Sequence, residues 1–289
     1  MEKLVFLLIL IAAVIITVKF FEKKSFTARH QLLYQETYQF MDKIMSYKVL
    51  GGGQPVILLH GSMTSTPWNG FEAKLSQDFK VYVPDLPGFG ASDAIDGQLH
   101  NTDLFGRALA EFIKQQNLTE APIISLSLGT IVSAKTAAAG LTDAPLIFVG
   151  APSQVTGFNA KLLQALPLSI KRILVGTYWG KDKFLIPTLD DNIGNKTKKD
   201  NSKFISELET SDVRSIADIN YLNEVNQEFP QIVKQLKNKI IFVYGDRDVQ
   251  KNHVAYLTDE IIEIKDSGHN VFEGQPEKLI EVIKKAVNE

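Results

Sequence analysis

The chain has 289 residues, of which 45% are hydrophobic and 22% are charged, an ordinary composition for a folded protein with a sizeable core. A formal net charge of -2 supplies no field that would hold a nucleic-acid backbone, so we expect no nucleic-acid partner. The chain contains no cysteine, which excludes disulfides, thiolate catalysis and cysteine-ligated metal sites.

The first predicted element is an N-terminal membrane anchor at residues 1–21. Residues 4–18 are apolar apart from one threonine, whereas a buried core helix would carry polar residues at helical spacing. Bulky Phe20 and Phe21 follow where a cleavable signal peptide has small residues, which favours an uncleaved single-pass anchor. A helix of this apolar run rises roughly 22 Å, short of a ~30 Å hydrocarbon core, but snorkelling of Lys19 would extend it.

This anchor predicts a membrane localisation through the N-terminal helix. More Lys and Arg residues follow the apolar run than precede it, which favours a cytoplasmic position for the folded domain and leaves the other side open. Residues 22–45 predict a polar, partly amphipathic helical spacer between the anchor and that domain.

From residue 46 onward, short β-branched runs alternate with longer helical patterns. The alternation predicts an α/β fold, doubly wound around a mostly parallel sheet. No strand pattern occurs over residues 154–239, and this stretch is too long for a loop without secondary structure. We therefore predict a helical cap at 154–239, inserted between core segments 46–153 and 240–289. The predicted strands are Pro55–Leu59, Val81–Val83, Pro122–Ser125, Leu146–Val149, Ile240–Tyr244 and Ile261–Ile264.

The third of these strands runs through Leu126, Ser127 and Leu128 directly into a helical pattern. A serine at such a turn has the geometry of a nucleophile elbow, whose strained backbone lifts the hydroxyl above the sheet. The turn needs small residues two positions before and after the serine. Gly129 supplies the later one, and Ser125 stands where glycine is usual. Ser127 is therefore the candidate nucleophile.

Four further motifs stand at the ends of other predicted strands. They are His60-Gly61-Ser62, Asp85-Leu86-Pro87-Gly88-Phe89-Gly90-Ala91-Ser92, Gly245-Asp246-Arg247-Asp248 and Asp266-Ser267-Gly268-His269. With the elbow, they make the chain resemble the α/β-hydrolase family from about Tyr47 to the C-terminus, the cap excepted. The order serine, aspartate, histidine along the chain is that of this family.

The resemblance implies a catalytic triad of Ser127, His269 as general base and an acid in the motif after residue 244. Asp248 matches the position of the acid, and Asp246 is its rival. Arg247 could equally turn either carboxylate into a surface ion pair.

The resemblance also implies an oxyanion hole made by two backbone N–H groups, that of Ser62 or a residue next to it and that of Leu128. We interpret His60 as a structural brace between loops. No metal or cofactor is expected, because the sequence offers no H-E-x-x-H pair, phosphate loop or dinucleotide fingerprint.

The implied activity is that of a carboxylesterase-like or lipase-like serine hydrolase, which cleaves a carboxylic ester or similar acyl bond. The apolar cap and the anchor favour a small-molecule or lipid-like acyl substrate, although the same side chains would also serve to pack the cap. Two alternatives stay open: a carbon–carbon bond hydrolase, which needs a polar cap pocket for a dioxo acid, and a non-catalytic binding protein of this fold at the membrane. The apolar cap residues are Phe158, Leu162, Leu163, Leu166, Leu168, Ile173, Leu174, Tyr178 and Trp179.

Overall fold

An eight-stranded sheet lies at the centre of the computed structural model, which describes residues 2–29, 36–62, 68–193, 202–254, 257 and 261–288. Its strands are β1 (Glu36–Phe40), β2 (Lys43–Leu50), β3 (Pro55–Leu59), β4 (Lys80–Pro84), β5 (Ile123–Leu126), β6 (Leu146–Val149), β7 (Ile240–Gly245) and β8 (Ile261–Ile264). Their order is β1-β2-β4-β3-β5-β6-β7-β8. The pairs β1–β2 and β2–β4 are antiparallel and the other neighbours are parallel, so the predicted mostly parallel sheet is confirmed.

Helices precede the sheet, connect its strands and form a large insertion. They are α1 (Glu2–Arg29), α2 (Phe71–Leu75), α3 (Thr102–Gln115), α4 (Leu128–Ala138), α5 (Phe158–Ala165), α6 (Leu168–Gly176), α7 (Tyr178–Gly180), α8 (Ile186–Ile193), α9 (Ser202–Leu208), α10 (Val213–Ala217), α11 (Tyr221–Asn223), α12 (Phe229–Val233), α13 (Val271–Gly274) and α14 (Pro276–Asn288). Short π-helical segments span Lys181–Leu185 and Glu224–Glu228, and a 3₁₀ turn spans Val249–His253. Helices α5 to α12 lie between β6 and β7, within the range of the predicted cap, and residues 194–201 of that range lie outside the described residues.

Helices cover both faces of the sheet. Ile57 and Leu59 of β3 belong to the apolar cluster that α3 and α4 complete, whereas Val56 and Leu58 belong to the cluster that α2 and α14 complete. Successive side chains of a strand point to opposite faces, so β3 is buried on both sides. This explains why the parallel strands read as continuous apolar runs in the sequence.

The predicted helical spacer at residues 22–45 is wrong in its second half. Glu36–Phe40 and Lys43–Leu50 form an antiparallel hairpin at one edge of the sheet, and residues 30–35 lie outside the described residues. The chain reverses at Met41, which has a φ of 56°. Glycine, asparagine or aspartate usually occupies such a position, so the turn left no recognisable signal in the sequence.

The predicted single-pass membrane anchor at residues 1–21, and the membrane localisation drawn from it, are also wrong. Among the residues that the structure describes, no helix is both long enough and apolar enough to cross a membrane. The apolar run at residues 4–18 rises only roughly 22 Å, against a hydrocarbon core of ~30 Å. After that run, α1 packs on the insertion, where the Phe21 ring lies against Gly176 of α6.

Candidate active site

The turn between β5 and α4 has the strained backbone expected of an elbow. Ser127 has a φ of 48° and a ψ of -119°, in a region that few residues other than glycine adopt. Its N–H donates to the carbonyl oxygen of Val149 at the end of β6, with an N–O distance of 2.9 Å. Strain of this kind is found at functional sites, where the surrounding structure holds it in place.

Small residues surround this turn because backbone passes close by. A side chain at Gly129 would place its Cβ atom 2.5 Å from the carbonyl oxygen of His60, closer than any real contact. The Ser125 hydroxyl is buried and lies 3.0 Å from the Ser133 hydroxyl of α4. Serine is therefore accommodated where the family pattern has glycine, and its hydroxyl has a partner.

An aspartate–histidine pair lies beyond the C-terminal ends of β7 and β8. The Nδ1 atom of His269 is 2.8 Å from Oδ2 of Asp248, which is completely buried. The other carboxylate oxygen of Asp248 accepts a hydrogen bond of 3.0 Å from the Gln250 N–H. With Nδ1–H donating to the carboxylate, the imidazole presents Nε2 as an acceptor, which is the tautomer that a general base requires.

Ser127 and His269 flank the end of β6. The N–H of Ser127 is bonded to Val149, and the next residue, Gly150, lies against the His269 ring, which a Cβ atom at that position would approach to 3.0 Å. Within the described residues, no hydrogen bond joins the Ser127 hydroxyl to His269. Such bonds are often long until substrate binds, so their length in the free protein does not decide a catalytic role.

The rival carboxylate has a different task. Asp246 accepts a hydrogen bond of 3.1 Å from the Ser267 N–H and so holds the loop that carries His269. Arg247 donates to the carbonyl oxygen of Asp266. The structure therefore places Asp248 in contact with His269, whereas Asp246 contacts the backbone of the same loop at Ser267.

The two proposed oxyanion donors lie on either side of the elbow. Leu128 is the first residue of α4, where a backbone N–H has no acceptor within the helix. Ser62 follows β3, and its neighbour Gly61 packs so closely on the elbow that a Cβ atom there would lie 3.1 Å from the Cβ of Ser127.

His60 braces this region. Its Nε2 accepts from the Leu86 N–H at 3.0 Å, and Nδ1 lies 2.7 Å from the carbonyl oxygen of Gly61. Burial lowers the pKa of the imidazole to about 4, with the hydrogen bond to Gly61 opposing the shift. The ring is therefore neutral at pH 7, and it connects the loop after β3 to the loop after β4.

Comparison with known proteins shows to which family the chain belongs. The model of the α/β hydrolase family matches residues 56–282, which is most of the chain. The chain belongs to the α/β hydrolase family. As in α/β folds generally, the candidate residues of this α/β hydrolase follow the carboxyl ends of neighbouring parallel strands, here β3, β5, β7 and β8.

Relatives and solved structures of this family include esterases. The α/β hydrolase is 22% identical over 265 residues to a pimeloyl-[acyl-carrier protein] methyl ester esterase of Aeromonas salmonicida, which covers 83% of this chain and 98% of that protein. An esterase structure from Thermogutta terrifontis superposes with a TM-score of 0.68 at 19% identity, over 85% of this chain and 93% of that one.

An uncharacterized protein of Mycobacterium tuberculosis is 28% identical over 152 residues, which are 47% of this chain. The α/β hydrolase spans 44% of the length of this mycobacterial relative.

The helical insertion between β6 and β7, which is the predicted cap, contains an apolar cavity of about 70 Å³. Leu163, one of the apolar cap residues noted in the sequence, lines it, whereas Phe158, Tyr178 and Trp179 are mostly exposed. Sequence reasoning missed the polar residues that also line the cavity, among them Lys171 and Tyr221. Lys171 lies among isoleucines and leucines of α6, and this pattern could have drawn attention to it; nothing in the sequence distinguishes Tyr221.

Proposed function

We propose that this protein is a serine hydrolase that cleaves a carboxylic ester, or a similar acyl bond, of an apolar small-molecule or lipid-like substrate. Ser127 is the nucleophile, His269 the general base and Asp248 the acid that orients the histidine. The reaction passes through an acyl-enzyme and uses no metal or cofactor.

The proposed mechanism starts with the weak nucleophilicity of a serine hydroxyl. His269 takes the proton of Ser127 as the oxygen attacks the acyl carbon, and buried Asp248 stabilises the imidazolium that forms. The N–H groups of Ser62 and Leu128 stabilise the oxyanion, where one such donor typically contributes about 3 kcal/mol. The protonated histidine then gives its proton to the departing alcohol, and a water molecule activated by His269 releases the acid from Ser127.

The observation that carries this proposal is the 2.8 Å contact between the fully buried Asp248 and Nδ1 of His269. This pair lies beside the end of β6, to which the strained Ser127 is hydrogen-bonded. A buried carboxylate of this kind fixes the ring and its tautomer. The activity of the Aeromonas relative, a methyl ester esterase, supports an ester as the substrate.

Labelling of the full chain by a fluorophosphonate probe tests the nucleophile. Wild-type protein should be labelled, and the variants Ser127→Ala and His269→Ala should both lose nearly all labelling, because the first lacks the nucleophile and the second leaves it without its base. Ser125→Ala is the matched control, since it removes a hydroxyl from the same turn whose partner is Ser133 and not the histidine.

Each outcome decides the proposal. Loss of labelling in both variants, with retention in Ser125→Ala, supports it, and a series of acyl esters then ranks substrates. A folded wild-type protein that is not labelled contradicts it and favours the non-catalytic binding protein of the same fold.

A carbon–carbon bond hydrolase is the second candidate, because a buried basic residue, Lys171, lines the cap cavity. This reaction needs a polar pocket to hold a dioxo acid. A dioxo acid assayed beside the ester series separates the two, since cleavage of the acid without cleavage of any ester would replace the first proposal.

A further inference from the structure

The cap cavity is almost entirely apolar, with walls that include Val155, Ala160, Leu163, Val175 and Ile216. Most of the polar side chains at its surface are already bonded. Gln164 donates to the carbonyl oxygen of Ile219, Thr188 donates to Phe184, and Asn192 exchanges two hydrogen bonds with the backbone of Thr156.

Lys171 differs from these residues. Its side chain projects from α6 and the residue is only 7% exposed. The one hydrogen bond that it forms among the described residues is a long one, from Nζ to the carbonyl oxygen of Ile219 at 3.3 Å. An ammonium group has three donors, and a buried cation that lacks an anionic partner is costly.

The acidic groups near Lys171 are bonded to other donors. Asp218 forms a bidentate pair with Arg172, with distances of 2.8 and 2.7 Å. Glu224 accepts from Asn220 N–H and from both the N–H and the hydroxyl of Thr102. Burial lowers the pKa of the Lys171 ammonium and Arg172 adds to this shift, whereas Asp218 and Glu224 oppose it. Among the described residues, no hydrogen bond or ion pair joins the Lys171 ammonium to a carboxylate.

Tyr221 connects this cavity to the candidate active site. It lines the cavity, and its buried hydroxyl has no hydrogen-bond partner of good geometry among the described residues. Burial raises the pKa of the phenol, and the nearby Ser62 side chain lowers it in part. Tyr221 therefore lies between the cavity that Lys171 lines and the loop that carries the proposed oxyanion donor Ser62.

We propose that Lys171 binds a carboxylate at the far end of the acyl chain, so that the preferred substrates are half-esters of dicarboxylic acids. This inference rests on the proposed esterase function. The apolar walls would contact the methylene groups between the two ends. Ser127 displaces the alcohol and water displaces Ser127, while the distal carboxylate takes no part in any bond change and contributes only binding.

Steady-state kinetics of the full chain test this inference. The substrates are monomethyl esters of the dicarboxylic acids from succinic to suberic acid, each paired with the methyl ester of the same length that ends in a neutral amide. Wild-type protein should show at least a tenfold higher kcat/KM for the half-ester of the best length than for its amide.

Variants assign that preference to Lys171. Lys171→Met should raise KM for the half-ester at least tenfold and leave KM for the amide-ended ester unchanged, because only the charged end of the half-ester loses its partner. Lys171→Arg should retain part of the preference. Lys161→Met removes the same charge from an exposed position of α5, the neighbouring helix, and should behave as wild type.

A binding measurement keeps the test independent of catalysis. In the Ser127→Ala background, the half-ester should raise Tm, and the additional Lys171→Met change should abolish that rise. An absence of preference for half-esters at every length, or a preference that survives in Lys171→Met, overturns the inference. If Ser127 is still labelled by the fluorophosphonate probe, only the role of Lys171 has failed; if labelling also fails, the proposed function has failed.

Discussion

Two aspartates that are separated by a single residue have different surroundings in this protein. Asp248 is completely buried against the imidazole of His269, whereas Asp246 accepts a hydrogen bond from the backbone of Ser267. The first can orient a base, and the second can only hold the loop on which that base lies.

This difference gives a prediction for matched variants. Asp248→Asn should lower kcat for ester hydrolysis by about 10⁴-fold with little change in KM, because an amide in place of the carboxylate favours the wrong tautomer of His269. Asp246→Asn is the control, and its kcat should stay within a factor of about 3 of wild type. Initial rates on the best ester of the acyl series measure both.

An equal loss in the two variants would mean that the loop, and not the carboxylate of Asp248, supports activity. A greater loss in Asp246→Asn would transfer the role of the acid to that residue.

At the scale of elements, the helices on either side of the elbow contain two glycines in unlike surroundings. Gly106 lies inside α3, where an added Cβ atom would meet Lys135 at 3.5 Å, an ordinary van der Waals distance. Gly129 lies in the first turn of α4, where the same atom would lie 2.5 Å from the carbonyl oxygen of His60.

The same substitution should therefore have opposite effects. Gly106→Ala should raise the free energy of unfolding by about 0.5–1 kcal/mol, because alanine loses less backbone entropy than glycine on forming a helix. Gly129→Ala should lower it by about 1–3 kcal/mol through overpacking, and should slow the labelling of Ser127. Urea denaturation monitored by circular dichroism compares them.

If Gly129→Ala were as stable and as reactive as wild type, the close contact between α4 and the loop after β3 would not hold in solution.

At the scale of the whole molecule, buried neutral histidines connect the loops around the sheet and the cap. His60 connects two core loops, and His100 lies 2.7 Å from the Ser215 hydroxyl of the cap helix α10. Burial lowers the pKa of both rings. In the unfolded chain both regain ordinary values, so the unfolded chain binds more protons than the folded one as the solution becomes acidic.

Stability should consequently fall as pH falls. For His60, with a folded pKa of about 4 against 6.5 unfolded, the loss begins below pH 6.5 and is complete near pH 4. It should amount to about 3 kcal/mol over that window. Urea denaturation at a series of pH values, for wild type and His60→Gln, measures this contribution as the difference between the two curves.

The His60→Gln curve is subtracted from the wild-type curve because His100 and other groups titrate in both proteins. Parallel curves for wild type and His60→Gln would show that His60 is not held neutral in the folded protein.

The sequence alone was sufficient for the parallel strands and for the elbow. Strands such as Pro55–Leu59 are buried on both faces and therefore consist of apolar residues without interruption, and the turn at Ser127 needs small neighbours whatever surrounds it. These are local requirements, and they leave a local pattern. The hairpin of β1 and β2 left none at its decisive position, because Met41 has the positive φ that glycine, asparagine or aspartate usually adopts.

Only the tertiary structure decided which of the nearby carboxylates contacts His269, where α1 packs, and which cap side chains enclose a cavity. Phe158 and Leu163 look alike in the sequence, yet one is 77% exposed and the other is buried against the cavity. Lys171 resembles the other lysines of the insertion in the sequence, yet it is buried and lines a cavity together with residues of α5, α8 and α10. The physical reason is that burial and partnership depend on elements that are distant along the chain, whereas periodicity reports only the face that a side chain occupies.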